Sequence, residues 1–357
     1  MERADALTAL LAKIGPGQWI NAPNSHMARV VWDCRAAPCP GNGPLATAIQ
    51  GNTGPRAIMS TWSGATLDTG NDALIVWGGG HNDYYGNEVY AFSLTRLEWS
   101  MLCAPSVVNP GGEVDTNIDN TPVSTHTYDS LAYITSTKQM FVPGEWGAMK
   151  VDSQQSWLFD PSIQSPSKTG KWKKAALNTS GFIDTVAKYD PVSDRVFAVN
   201  KGFGLRSYSP SDDRWGVVGT QPLSDYHMTG AISPELRMLA VIGNGFLNIM
   251  NLKTGIFSLP MASGDMTAQK GNAPGFAWDP VAKVFVAWNG GATLYTLDPH
   301  SWQWTAHRAA EGNKVVPTAP AENGTFGRFQ YDPSHDVFVV VNDINQDVYF
   351  FKPNFGR

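Results

Sequence analysis

The chain predicts an all-β fold, a propeller of six four-stranded blades, and three features of the sequence predict it. Three segments align almost residue for residue: AKYDPVSDRVFAV at 187–199, FAWDPVAKVFVAW at 276–288 and FQYDPSHDVFVVV at 329–341. Each reads as a strand ending in an aromatic residue, an Asp-Pro turn and a second apolar strand. Proline presets φ, and the Asp side chain can cap the turn backbone. The second feature is the stretch 73–102, ALIVWGGGHNDYYGNEVYAFSLTRLEWSML, which reads as an antiparallel meander. It runs through a strand at 73–77, a glycine run, a second strand at 88–92 and a third around Trp99. The third is composition. Charged residues make up 16%, while Gly (35), Pro (24) and Trp (13) are abundant. That suits short strands, tight turns and aromatic packing between sheets, and does not suit helices laced with ion pairs.

Taken in order, the repeat units fall at about 56–102, 125–176, 182–217, 226–259, 273–305 and 324–351. Residues 230–241, GAISPELRMLAV, repeat the turn with Ser-Pro in place of Asp-Pro. Third strands are expected at 205–208, 246–250, 293–297 and 347–351. Outer strands carry Trp172, Trp215, Phe257 and Trp302 or Trp304. The sixth unit lacks an outer strand. GQWINAP at 17–23 resembles EWSMLCAP at 98–105, so residues 18–23 are expected to supply it and to join the two ends of the chain. A chain of 357 residues thus reads as a helix and lead-in at 1–17 followed by one propeller domain at 18–357. Residues 27–55 form an insert across one face. A seventh blade would have to lie there, and the insert is short of residues for it.

The first residues, MERADALTALLAKIGPGQW, place Leu7, Leu10, Leu11 and Ile14 at helical spacing, and Gly15-Pro16 stops the helix. Acidic Glu2 and Asp5 stand where a secretory leader would be basic, so an amphipathic helix is expected there. The protein then stays where it is made, as a cytoplasmic or virion component, or has lost a leader. No apolar stretch is long enough to span a bilayer. The net charge of −5 and the lack of any Lys/Arg run argue against a nucleic-acid surface. Three cysteines, Cys34, Cys39 and Cys103, are too few for a disulfide framework, though Cys34 and Cys39 flank a short loop and could pair under oxidation.

The meander also resembles a kelch repeat: a glycine pair ends one strand, Tyr90 stands in the next and Trp99 in the outermost. The resemblance to kelch and galactose-oxidase-like propellers covers nearly the whole chain. It implies a fold rather than an activity, because such propellers include oxidases, lyases and binding modules.

In a propeller, the loops between second and third strands and the connections between blades share one face. That face is expected to hold His81, Asn82, Asp83, Tyr84, Tyr85 and Asn87 from the first blade. The connection 103–125 adds Glu113, Asp115, Asn117 and Asp119 and leads to His126 and Tyr128. Glu145, Trp146, Lys201, Asp225, Tyr226 and His227 follow, with Arg56 ahead of the first blade. Asn244, Asn289, Asn323, Asn342 and Asp343 complete the ring. Aromatic faces and amides converging on one concavity are what a sugar needs. Asn82, Asp83, Tyr84, Tyr85, Asn87, Trp146 and His227 are the expected ligand contacts. Asp115, Asn117 and Asp119 have the alternating spacing of a calcium loop, but Asn120 and His126 stand where such a loop needs Gly and Glu. No other cofactor is expected.

GGGH at 78–81 and STHTY at 124–128 are similar to stretches in propeller polysaccharide lyases of the ulvan-degrading type. That resemblance implies His81 or His126 as base, Tyr128 or Tyr226 as acid, and Arg56 or Lys201 to neutralise a uronate carboxylate. It departs from the family in one respect. The family's two histidines share a blade, whereas here they fall in two, and MSTWSGA at 59–65, taken as the first inner strand, holds none. Galactose-oxidase chemistry is not expected: Tyr226-His227 has part of a copper site, but Cys103 is remote from where the tyrosine crosslink belongs.

Each group also has a plainer reading. A histidine in a glycine-rich loop can simply hold that loop, His300, His307 and His335 are expected at the surface, and the tryptophans other than Trp146 are expected in packing. The expected function is a binding module for a carbohydrate or a protein partner, as in a phage tail, virion or other assembly. A polysaccharide lyase acting by β-elimination is the alternative.

Overall fold

The structure, a computed structural model, describes residues 5–32, 49–107, 116–145, 153–162, 171–178 and 183–356. Trp146, Asp115, Glu113, Cys34, Cys39 and most of the 27–55 insert lie outside the described residues.

Six sheets follow one another along the chain, each an antiparallel meander from its inner to its outer strand. Their inner strands are Ala65–Asp68, Ala132–Ile134, Val186–Asp190, Thr229–Ser233, Gly275–Asp279 and Phe329–Asp332. Consecutive inner strands contact each other, and the last contacts the first, so the six sheets close into a six-bladed propeller. Blade 5 gains a fifth strand, Ser263–Gly264, which runs parallel to Gln303–His307. No described helix is long and apolar enough to cross a membrane.

Closure occurs where the sequence places it. Gln18–Ala22 pairs with Val348–Lys352, with Trp19 opposite Phe351. Trp19 is 1% exposed; its indole lies 5.1 Å from the Phe351 ring and donates from Nε1 to the Ala292 carbonyl of blade 5. The first strand of the chain therefore finishes the last blade and packs it on its neighbour.

The core lies between blades. Ile75 and Trp77 of blade 1 cluster with Met140, Val142 and Trp157 of blade 2, and the Trp77 and Trp172 rings stand 5.4 Å apart. The middle strands are buried on both faces, which is why they read as continuous apolar runs. The Asp-Pro turns work as their chemistry predicts: Asp279 Oδ1 accepts the amides of Val281 and Ala282, both at 2.9 Å. In every blade the residue leading into the second strand is left-handed: Asp72, Lys138, Asp194, Arg237, Lys283 and Asp336.

Three expectations are corrected. MSTWSGA is not a strand, because Ala57–Ser60 is a helical turn and the inner strand begins at Ala65. His335 is not at the surface: it is enclosed between Asp332 Oδ2 at 2.5 Å and Asp5 Oδ2 at 2.6 Å, and so clamps the N-terminal helix Ala6–Leu11 to blade 6. His307 is half-buried, with Nε2 2.8 Å from Thr296 Oγ1.

Candidate functional site

The site begins with a chain segment that only glycine permits. Gly78 and Gly79 take φ of 126° and 90°, left-handed values that favour glycine. Gly80 lies flat against blade 2: its amide donates to Thr125 O at 3.1 Å, and an added Cβ would stand 2.2 Å from Ser124 O. The glycine run thus lays the end of one strand on the segment leading into the next blade. His81 and His126, split between blades in sequence, are thereby brought together with ring centroids 5.1 Å apart.

Around this pair the ends of the inner strands converge. The residues just ahead of them, Trp62, Tyr128, Asp184, His227, Ala273 and Phe326, one per blade, all have φ between 43° and 55°. For a non-glycine residue that conformation costs about 1 kcal/mol. Hydrogen bonds run from blade to blade around this ring: Tyr128 N to Trp62 O at 2.6 Å, His227 N to Asp184 Oδ2 at 2.5 Å, and Ala273 N to His227 O at 2.9 Å. The side chains meet over the axis. Tyr128 stacks on His227 at 6.2 Å and meets Phe326 edge-on at 5.9 Å. Since Tyr128 belongs to blade 2, His227 to blade 4 and Phe326 to blade 6, these contacts cross the channel and plug it.

Trp62 completes the group, 5.0 Å from the His126 ring and 6.1 Å from His227. His126 Nε2 lies 3.1 Å from Asp83 Oδ2, while Asp83 Oδ1 accepts from Thr53 Oγ1 at 2.8 Å. The end of the insert braces Asp83 further, since Thr53 N donates to Asp83 O. Outside the ring, Arg56 Nε reaches Asp343 Oδ2 at 2.6 Å, and its side chain is 61% exposed. A cleft of about 640 Å³ joins the two areas; Arg56, Trp62, Asp83, Asn323, Asn342 and Gln346 are among the residues that line it.

Burial sets the charge state. It drives His126 down to about 4, with His81 pushing the same way and the hydrogen bond to Asp83 opposing, so the imidazole is neutral near pH 7. His227 is also lowered by burial, against the pull of Asp225. Tyr128 is raised by burial and by Asp184 and Glu145, which keeps its hydroxyl protonated. Burial lifts Asp184 to about 7 despite the amide of His227 that it accepts, and Asp225 and Asp129 lift it further. Neutral imidazoles, a protonated phenol and aromatic faces therefore share one recess.

The expected site residues divide. His81, Asp83, His126, Tyr128 and His227 come together. Arg56 stands at the far side of the cleft. Lys201 and Tyr226 form a separate group: Lys201 Nζ is 2.9 Å from Asp225 Oδ1 and 4.7 Å from the Tyr226 ring centroid. Asn82 and Tyr85 pair with each other at 2.8 Å, half-buried beside His81.

Two expected ligand contacts are corrected. Tyr84 is fully enclosed and donates to Glu88 Oε1. Asn87 is 2% exposed, and its amide is spent on Ser106, Thr121 and Pro122. Of the calcium-loop candidates, Asp115 lies outside the described residues, Asn117 Nδ2 donates to Pro122 O at 2.9 Å and Asp119 Oδ1 accepts from Thr121 Oγ1 at 2.7 Å. The latter two hold a tight turn, and no cluster of three or more His, Cys, Asp or Glu side chains able to hold a metal forms among the described residues. Trp62 and Asp184 were not foreseen. Trp62 hid inside a segment that reads as strand, and Asp184 carries no motif.

Fold and site define a six-bladed β-propeller with a polar, histidine-bearing recess over one end of its axis. No protein-family model matches the chain, and no curated protein sequence does. Among solved structures, an auxiliary nutrient binding protein from Bacteroides thetaiotaomicron VPI-5482 superposes with a TM-score of 0.50 over 80% of this chain and 68% of its own, at 10% identity. At that identity the likeness is one of fold.

Proposed function

We propose that the chain is a binding module for a carbohydrate seated in the cleft between blades 6 and 1. One observation carries this reading: Trp62 and Asp83 line the cleft and also touch His126, so the open cleft and the imidazole recess form one continuous site. A tryptophan face, three carboxamides and an arginine around a cleft of this size suit a polyhydroxylated ligand. The nutrient-binding description of the solved propeller accords with a binding role. A glycan array tests it, and binding to one glycan class, lost in Trp62→Ala, is expected. A protein partner on the same face, as in a phage tail or virion, is the rival occupant. A blank array with a specific protein captured would favour it.

A second reading is favoured by the approach of His81 to His126 across two blades. In β-elimination on a uronate, a base removes the C5 proton, the C4–O bond breaks as the C4–C5 double bond forms, and an acid protonates the leaving oxygen. A neutral His126, with His81 beside it, suits the base, protonated Tyr128 the acid, and Arg56 the uronate carboxylate once Asp343 releases it. The test is new ultraviolet absorbance from unsaturated uronate on a panel of polyanionic glycans, abolished in His126→Ala. No absorbance on any of them would remove this reading.

A further inference from the structure

The aromatic residues that precede the Asp-Pro turns remain unused by the site above, and they gather at the opposite end of the axis. Tyr189, Trp278 and Tyr331, joined by Tyr133 at the same place in blade 2, line an axial cavity of about 340 Å³. Ile232 and Leu67 take that place in the other two blades and line it as well. Two of the tyrosine hydroxyls are tied down beside turns: Tyr189 to Asp194 at 2.9 Å and Tyr331 to Asp336 at 2.7 Å. The rings are therefore held in place at the mouth. Deeper in, Ala132, Ala231 and Ala277 keep the bore open.

The cavity is a dead end. Beyond its floor the channel is blocked by Tyr128, Ala273 and Phe326, which pack together with Trp62 across the axis. At the floor, Asp129 is fully buried; Oδ1 takes Lys188 Nζ at 2.6 Å and Oδ2 takes the Gly230 amide at 2.7 Å. Both carboxylate oxygens are thus satisfied. Lys188 lines the cavity and is 14% exposed, and among the described residues the bond to Asp129 is the one hydrogen bond its ammonium makes. An ammonium carries three N–H donors, so two remain available for a further acceptor.

We propose that this axial cavity is a second binding site, for a small amphiphilic acid whose slender or flat apolar body lies within the aromatic rim and whose anionic group meets Lys188. The volume lies at the lower end of the range for small-molecule pockets, and the lining is mainly apolar and aromatic, with threonines and the exposed Glu235 also on it and Lys188 as its one cationic group. A polymer cannot thread the axis, because the plug closes it. The site lies on the face away from His81 and His126 and does not depend on the reading of that recess.

The test uses the intact chain and the probe 1-anilinonaphthalene-8-sulfonate, an aromatic anion. One saturable site per chain is expected, with native near-ultraviolet dichroism kept throughout so that binding by unfolded protein is excluded. Gln330→Trp, at a half-buried lining position, should fill the bore and abolish binding. Lys188→Met should weaken it about tenfold, the value of a charge-assisted contact, and the neutral analogue N-phenyl-1-naphthylamine should bind more weakly by a similar factor. Loss of the probe in Gln330→Trp while Lys188→Met stays folded and weak supports the site. Absence of saturable binding, or equal affinity in Gln330→Trp and wild type, overturns it. Equal affinity for the neutral analogue overturns the assignment of an acid.

Discussion

His81 and His126 stand edge to face with ring centroids 5.1 Å apart, although one follows the second strand of blade 1 and the other precedes the inner strand of blade 2. The approach depends on Gly80, whose Cα lies against the backbone of Ser124 and Thr125. Gly80→Ala would put a methyl group 2.2 Å from Ser124 O, and rigid backbone cannot give way as a flexible side chain would. The expected outcome is a folded protein, destabilised by about 1–3 kcal/mol in chemical denaturation, that has lost ligand binding or turnover. A variant with wild-type activity would mean that the pairing of the two rings is incidental.

The charge state of the recess is open to direct measurement. His126 should titrate near pH 4 in NMR spectra of its ring protons, far below an ordinary imidazole at 6.5. The unfolded chain then binds the proton first as pH falls, so this group costs stability progressively from pH 6.5 down to about 4 and nothing above that window. His126→Gln should flatten that part of the stability profile.

The clamp on the N-terminal helix has the opposite sign. Burial pushes His335 down, but its hydrogen bonds to Asp5 and Asp332 outweigh burial and leave it raised above 6.5. Its contribution is fully present below pH 6.5 and is lost as pH rises through the raised value. Asp5 is lowered on balance, since bonds from His335 and the Thr8 amide exceed its burial cost, so its share is present above 3.8 and is lost as pH falls through its lowered value. Asp332 is raised by burial and tempers the gain. The protection factors of the Leu10 and Leu11 amides, which are corrected for base-catalysed intrinsic exchange, should therefore be highest at mildly acidic pH and fall on the alkaline side. In His335→Gln that pH dependence should vanish.

Arg328 is a buried cation bonded to carbonyls alone. Nε donates to Ser63 O at 2.9 Å and Nη1 to Val341 O at 2.8 Å, while Nη2 bonds Gly324 O. It fastens blade 6 to the start of blade 1. Burial lowers its pKa to about 9, with Asp343 opposing, and the group remains charged at neutral pH. Arg328→Met leaves these carbonyls without a donor, and a loss of about 3 kcal/mol or more in denaturant titration is expected. A loss below about 1 kcal/mol would show that water replaces the guanidinium.

Much of the fold was legible because its signals are local and repeated. The Asp-Pro turn with an aromatic residue before it marks a blade, and the match of QWINAP to EWSMLCAP marked the closing strand. The site was only partly legible. Its face could be named from loop order, but which side chains turn inward depends on contacts between blades. Tyr84 and Asn87 sit in the same loop as His81 yet face the core, because Glu88 and the Thr121–Pro122 turn offer them buried partners. His335 is polar and beside a turn, which reads as surface; only the docked helix makes it interior. Trp62 required knowing that its chain bends left-handed at the channel mouth, and composition says nothing of that.

The claim on which the rest depends is that the cleft beside Arg56 and the recess around His126 form one binding site. It is tested most directly by comparing the glycan-array profiles of wild type, Trp62→Ala and Arg56→Ala. Binding by wild type to one glycan class, abolished in Trp62→Ala and weakened about tenfold or more in Arg56→Ala, is the predicted result. A wild-type profile retained by both variants, or a profile blank throughout, would contradict it.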